Sequence, residues 1–415
     1  MKVLIVGCGI GGLTTALCLH ERGIECELYE QSGNIRELGV GINTLPNAIK
    51  ELADLGLLPA LDAVSIRTYE LIMTNRFGQQ IWRELRGLDA GYAVPQLSLH
   101  RGRLQGVLNQ AVRQRLGDDA VHVGHRLVGF EQDARWVRAR FVDRDDAPLA
   151  EVEGDALVAA DGIHSTARAL LYPNEGPPRW NGVMMWRGAH EWPKFLTGRS
   201  MIIAGGTAAK LVLYPIGPGA TPDTRLTNWA VCAQIAEPGA VPPRRENWAR
   251  PGQWDELAPH LARFNISQLD LPALVAATPE FFEYPMCDRD PLPAWSFGRM
   301  TLLGDAAHPM YPMGSNGASQ AILDARCLAR LLSEISGTGD VPAALKAYED
   351  ERLQMTAQIV HMNRTGGPEG VIDVVERLAP DGFADVDDVI SHSQRQAILK
   401  GYATAAGFSR EQVNR

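Results

Sequence analysis

The sequence predicts an α/β protein of more than one domain. A parallel-sheet domain opens on a β-α-β unit, a second layer is an antiparallel sheet, and the C-terminal segment is helical. Three observations predict this. A strand-like run at the N-terminus ends in a glycine-rich turn and a helix, and two later apolar runs end the same way, each at a Gly and an Asp. Between them the chain changes to the period-two alternation of half-buried strands. At 415 residues it is long enough for two or three domains.

The first junction is "KVLIVGCGIGGLTTALCLHERGIECELYEQ". Val3 to Val6 form a strand, and Gly7, Gly9 and Gly12 follow in G-x-G-x-x-G spacing. That spacing gives a tight turn, close backbone approach to a pyrophosphate, and close helix-to-strand packing. The helix after it carries Leu13, Ala16, Leu17 and His20 on one stripe and stops at Gly23, so its N-H groups point at the turn. A second strand through Ile24, Cys26 and Leu28 ends at Glu30, where a ribose-binding carboxylate belongs. Glu30 would repel a 2'-phosphate, so the tightly held dinucleotide should be FAD or NAD and not NADP.

The second junction, "DALVAADGIHSTARALL", has Leu157 to Ala160 as strand, Asp161-Gly162 as break and Ser165 as helix cap. Alone it reads equally as a simple turn. The third, "MTLLGDAAHPMYPMGSNGAS", has Met300 to Leu303 as strand, Gly304-Asp305 as break, and a helix from about Gly317 to Leu332. A carboxylate at a buried strand end is costly unless a ligand or a partner needs it. Three such junctions match the place where ligands bind in open α/β sheets.

Composition narrows the function. A net charge of -9 and the absence of basic runs exclude nucleic acid and anionic membrane as principal partners. Six cysteines show no CxxC pair and no metal spacing, so they read as buried apolar residues of a cytoplasmic protein, and no metal is expected. The glycine-interrupted stretch from Val3 to Leu19 is neither signal peptide nor membrane span.

The three junctions, in this order, resemble the signature motifs of the single-component FAD-dependent aromatic hydroxylases of the para-hydroxybenzoate hydroxylase type. "ELGVGINTLPNAIKELADLGL" (37 to 57) and "SLHRGRLQGVL" (98 to 108) match the same pattern, so the resemblance runs from residue 1 to about 360. Four stretches, "MMWRGAHEW", "YPMCDRDPLPAW", "LLGDAAHPMYPMGSNGASQAILD" and "LGVGINTLPNA", are similar to the phenazine hydroxylase branch, the 5-methylphenazine-1-carboxylate hydroxylase type. Most family members have Gly-Gln where this chain has Ser315-Asn316; the branch shares the Asn-Gly-Ala-Ser form.

The resemblance implies a Rossmann-like, three-layer FAD-binding domain assembled from 1-65, 97-172 and 286-360. A substrate-binding β-sheet domain would come from 66-96 and 173-285, and a C-terminal helical region from 361-415. It implies that Gly7, Gly9 and Gly12 hold the pyrophosphate, Glu30 the adenosine ribose, Arg101 with Gln105 the ribose and pyrophosphate region, and Asp305 with Gly304 the sugar hydroxyls. Asp161 and Gly162 are associated with both FAD and the nicotinamide donor. Asn316 and Gly317 start a helix whose N-H groups stabilise charge on reduced flavin. The implied reaction is monooxygenation. NADH or NADPH reduces FAD transiently, dioxygen adds to the flavin as a C4a-hydroperoxide, and one oxygen passes to an aromatic or heteroaromatic ring of phenazine, salicylate or hydroxybenzoate type, with or without loss of a carboxylate.

A single G-x-G-x-x-G fits a nicotinamide that binds only transiently. Pro312, Met313 and Gly314, with Met310, are expected near the flavin ring, where an apolar cover excludes water. Trp186, Arg187 and Tyr214 are the candidates for a flat aromatic pocket, and Arg187 could instead meet a substrate carboxylate or a neighbouring acid. His308 reads as a structural donor rather than a base. No catalytic side chain is assigned. A flavin-dependent dehydrogenase or oxidase and a non-catalytic flavin-binding redox sensor are the competing readings. A flavin halogenase lacks support, because no Trp-x-Trp-x-Ile segment occurs. A monomer and a homodimer fit equally well.

Overall fold

The computed structural model describes residues 1-35, 39-245 and 247-415. The first two residues of the 37 to 57 segment therefore lie outside the described residues. Two large sheets organise the molecule.

The first has the strand order 296-297, 300-302, 156-159, 2-6, 25-30, 121-123. Every pairing is parallel except that of Ser296–Phe297 with Met300–Leu302. Such a sheet is covered on both faces, so its strands read as continuous apolar runs; Val3, Leu4, Ile5 and Leu157 are fully buried. From Lys2–Val6 the chain first steps to Glu25–Glu30 on one side and later to Ala156–Ala159 on the other. The crevice between these directions is where α/β sheets bind ligands, and the three Gly or Asp junctions all lie at the carboxyl ends of adjacent strands there.

The fingerprint helix, Ile10–Glu21, packs against both Arg101–Leu116 and Gly317–Glu334. It is buried from Gly12 to Leu19, and His20 is exposed. The expected single stripe ending in His20 is thus too narrow: a helix covered by a sheet and two helices has little solvent face left. The third-junction helix runs Gly317–Glu334, two residues past its expected end.

The second sheet has the order 281-288, 179-193, 224-234, 209-218, 200-204, 70-74, 80-85. All pairings are antiparallel except Ser200–Ala204 with Glu70–Thr74. Glu70–Thr74 and Gln80–Leu85 form one edge of this sheet, the first paired in parallel with Ser200–Ala204. The strand Phe281–Asp288 runs three residues beyond the boundary drawn at 285. Helices Val341–Arg364, Gly370–Leu378 and His392–Ala405 form most of the C-terminal region, with breaks after Arg364 and Leu378 at "TGGPEG" and "APDGF". No helix among the described residues is long and apolar enough to cross a membrane.

Candidate active site

One cavity lies between the two sheets. It is lined on one side by Gly9, Gly162, Gly304, Asp305 and Gly317, and on the other by Met185, Arg187, Tyr214 and Asn228.

The first side is built mostly from backbone. Gly7 has φ +100°, and a Cβ there would sit 2.4 Å from the Ala160 carbonyl oxygen. A Cβ on Gly12 would sit 2.0 Å from the Gly7 carbonyl oxygen, whereas one on Gly9 would meet no atom within 4 Å. The outer glycines make the turn possible, and the middle one leaves room for a ligand to touch the chain. Glu30 and Gln105 brace the same turn: the Cys8 N-H donates to Glu30 Oε2 at 2.9 Å, and Gln105 Nε2 donates to the Cys8 carbonyl at 2.8 Å.

At the second junction Gly162 lines the cavity. Asp161 does not: its Oδ2 accepts from the Thr166 N-H at 2.8 Å and caps the helix Thr166–Leu171. Arg168 then locks this junction to the third by donating to the carbonyls of Ala306 at 3.1 Å and Ala307 at 2.9 Å.

The Asp305 carboxylate opens onto the cavity, and no group among the described residues donates a hydrogen bond to it. Burial raises its pKa, partly opposed by His308 and Arg101. Such a carboxylate is satisfied by ligand hydroxyls. Its neighbour His308 is a positioning group: Nε2 meets Asp324 Oδ2 at 2.6 Å, in a buried cluster where Asp324 also accepts from Arg352 Nε at 2.7 Å and the Gly304 N-H at 3.2 Å. Burial raises the Asp324 pKa, but His308 and Arg352 outweigh it and hold the carboxyl below its usual range.

The loop before Gly317 divides unexpectedly. Pro312 and Met310 line the cavity, but Met313 does not; its sulfur lies 2.9 Å from Lys210 Nζ. Gly314 (φ +62°) is pinned by its N-H to Glu369 Oε1 at 3.2 Å and by the Tyr402 ring, 2.5 Å from where a Cβ would be. The Asn316 backbone borders the cavity, yet its side chain is spent inside the protein, donating to Tyr402 Oη at 2.9 Å and to the Gly314 carbonyl at 3.1 Å. Tyr402 Oη donates in turn to Asn363 Oδ1 at 2.7 Å. The C-terminal region therefore holds this loop from behind, through Asn363, Glu369 and Tyr402.

The other side is built from side chains, selected by strand alternation. Along 184-187, Met185 and Arg187 face the cavity, while Met184 and Trp186 enter a core on the opposite face with Trp229 and Leu213. Trp186 is 1% exposed and stacks on His260 at 5.2 Å, so it is packing and not pocket. Neighbouring strands repeat the rule: Lys210, Val212 and Tyr214 face the cavity, as do Asn228, Ala230 and Cys232.

Arg187 is 6% exposed, stacks over Trp248 at 4.2 Å and donates to the Trp248 carbonyl at 3.2 Å. Burial, with Arg101 nearby, pushes its pKa down. A guanidinium gives up its proton so reluctantly that the site instead attracts an anion. Among the described residues no carboxylate pairs with it. Trp248 stacks on Tyr284 at 3.8 Å. Lys210, Asn228, Trp248 and Tyr284 were missed from sequence; alternation from Arg187 and Tyr214 across the paired strands would have found Asn228 and Lys210.

These features fit FAD: an open pocket at Gly9, an unsatisfied carboxylate at Asp305, and a helix N-terminus at Gly317. Comparison with known proteins agrees. Residues 1–363 match the family described as "FAD binding domain". The chain is 44% identical over 366 residues to a phenazine 1,6-dicarboxylic acid hydroxylase of Lysobacter antibioticus, covering 87% of this chain and 89% of that protein. It is 31% identical to 3-hydroxybenzoate 6-hydroxylase 1 of Aquipseudomonas alcaligenes, covering 88% of each. The crystal structure of Klebsiella pneumoniae HpxO complexed with FAD and uric acid has the same fold, with TM-score 0.73 at 22% identity, covering 98% of this chain and 96% of that one. The cradle and these relatives together give one conclusion: the chain belongs to the FAD binding domain family and is an FAD-dependent aromatic monooxygenase.

Proposed function

We propose that the protein hydroxylates a planar, multi-ring aromatic carboxylate of the phenazine class, with NADH or NADPH as reductant. The overall conversion balances as aromatic C-H, dioxygen, reduced nicotinamide and a proton giving aromatic C-OH, oxidised nicotinamide and water. Bound FAD supplies reductive activation of dioxygen and transfer of one oxygen atom. The observation that carries the substrate class is Arg187, a buried guanidinium that has no acidic partner among the described residues, on a wall that also carries Met185, Tyr214 and Trp248. The 44% identical relative, named for a phenazine dicarboxylic acid, supports it.

Each residue has a task in this reading. Gly7, Gly9 and Gly12 shape the pyrophosphate turn, with Glu30 and Gln105 bracing it, and Asp305 accepts from sugar hydroxyls. Arg101 lines the cavity near Asp305 and offsets cofactor charge. Gly317 begins a helix whose N-H groups face developing negative charge. Met310 and Pro312 exclude water, which limits unproductive loss of activated oxygen. Arg187 receives the substrate carboxylate, and Tyr214 and Asn228 offer polar groups to the ring's edge. One fingerprint, occupied by FAD, supports a nicotinamide that binds, reduces and leaves.

The test is oxygen-18 dioxygen with NADH and a series of phenazine carboxylates, their descarboxy analogues, and one-ring hydroxybenzoates. Labelled product and rates stimulated most by the carboxylated three-ring compounds are expected. Unlabelled product, or equal stimulation by the descarboxy compounds, overturns the reading.

A further inference from the structure

A second cavity of about 510 Å³ lies over the substrate sheet's outer strands, on the same face as the active-site cavity. Its walls come from Glu70–Thr74 and Gln80–Leu85 on one side and the C-terminal helix His392–Ala405 on the other. Leu71, Met73, Trp82, Tyr92, Leu399 and Phe408 give it an apolar, partly aromatic share of its lining, beside charged Glu84, Arg86 and Lys400. It is as roomy as the ligand cavities of enzymes.

This cavity shares wall residues with the active-site cavity. Met201, Ile203, Ser315 and Glu369 line both. Two are side chains of the strand Ser200–Ala204, one stands on the flavin-facing loop, and one comes from the C-terminal region. These four residues therefore stand between the two spaces. Met201 is unbranched and adaptable. Glu369 is held in place by Lys210 Nζ and the Gly314 N-H.

FAD held on the Gly9, Asp305 and Gly317 side of the active-site cavity would leave a ring bound at Arg187 needing a path that does not cross the cofactor. The second cavity meets the first at Met201 and Ile203, on the substrate side. Resting on the substrate reading above, we propose that the second cavity is the port through which the planar aromatic substrate reaches the Arg187 pocket, with Met201, Ile203, Ser315 and Glu369 as its inner gate.

A port differs from a binding subsite in its kinetics. Filling it slows association and dissociation together and leaves the dissociation constant unchanged. The experiment uses FAD-loaded enzyme mixed rapidly with phenazine-1-carboxylate, following the flavin absorbance. Gln396→Trp and Ala403→Trp each put an indole into the port from its helical wall, and Trp82→Ala widens it from the sheet wall. Association about tenfold slower in both filled variants, with unchanged dissociation constant and FAD content, and association at least as fast as wild type in Trp82→Ala, are expected. Wild-type association rates in both filled variants overturn the port alone, as does a weaker dissociation constant at an unchanged off-rate. Wild-type enzyme that responds to no aromatic at all overturns the substrate reading and the port with it.

Discussion

The two walls of the active-site cavity are made of different material. The wall proposed for the cofactor is mostly backbone: Gly7, Gly9 and Gly12 lack a Cβ, and Gly317 starts a helix. The wall proposed for the substrate is side chain: Arg187, Tyr214 and Asn228 project from strands that any β-former could build, with Trp248 stacked on Arg187. Backbone sites tolerate almost no substitution, because the chain path is the site. Side-chain sites can be rewritten one position at a time on an unchanged scaffold. This division lets one flavin cradle serve relatives named for phenazine and for benzoate substrates.

The largest effects should fall on the backbone wall, and its glycines should fail in different ways. Gly12→Ala places a Cβ 2.0 Å from the Gly7 carbonyl oxygen, so the turn itself must open. Both thermal stability and FAD binding should be lost, the latter by at least about a hundredfold. Gly9→Ala meets no atom within 4 Å, so the apoprotein should melt as wild type does while FAD binding falls comparably. Flavin content measured beside the apoprotein Tm separates the two. A Gly9→Ala protein that retains FAD would show that the cofactor does not approach the chain there.

The same division explains what the sequence made legible. G-x-G-x-x-G, Asp161-Gly162 and Gly304-Asp305 are local patterns whose meaning survives without knowledge of tertiary neighbours, and all three fall at one sheet edge. Asp161 shows the limit: Asp-Gly marks the junction, yet the carboxylate accepts from the first turn of the helix Thr166–Leu171, and Gly162 faces the cavity instead. On the substrate wall, Trp186 and Arg187 are adjacent in a strand and must point to opposite faces, so they could not both line one pocket. Which face is the pocket depends on packing contributed by Trp229 and His260, far away in sequence. The Tyr402 clamp on Asn316 joins residues 86 apart and has no local signature.

That pair supplies the intermediate test. Arg187→Met should leave FAD content unchanged and raise KM for a carboxylated substrate about thirtyfold or more, the worth of a charge-assisted hydrogen bond of ~2 kcal/mol. The descarboxy analogue should be affected far less. Trp186→Phe should do the reverse, lowering stability by about 1–3 kcal/mol through lost packing with KM within about twofold. Matching KM changes in the two variants would erase the distinction between the faces of the strand.

The smallest effect lies where the walls meet, at Ser315. Its φ is +58°, directly after Gly314 at +62°. A side chain in the left-handed region is strained by about 1–2 kcal/mol. Comparing Ser315→Gly with Ser315→Ala separates strain from the hydroxyl, because both remove Oγ and only Gly relieves the backbone. Glycine also makes the unfolded chain more flexible, which offsets part of the gain by about 0.5–1 kcal/mol. Ser315→Gly should therefore melt above Ser315→Ala by about 1–2 °C in a chain of this size. Equal melting temperatures would mean that the Tyr402 and Glu369 contacts to this loop, and not the backbone preference of residue 315, set its conformation.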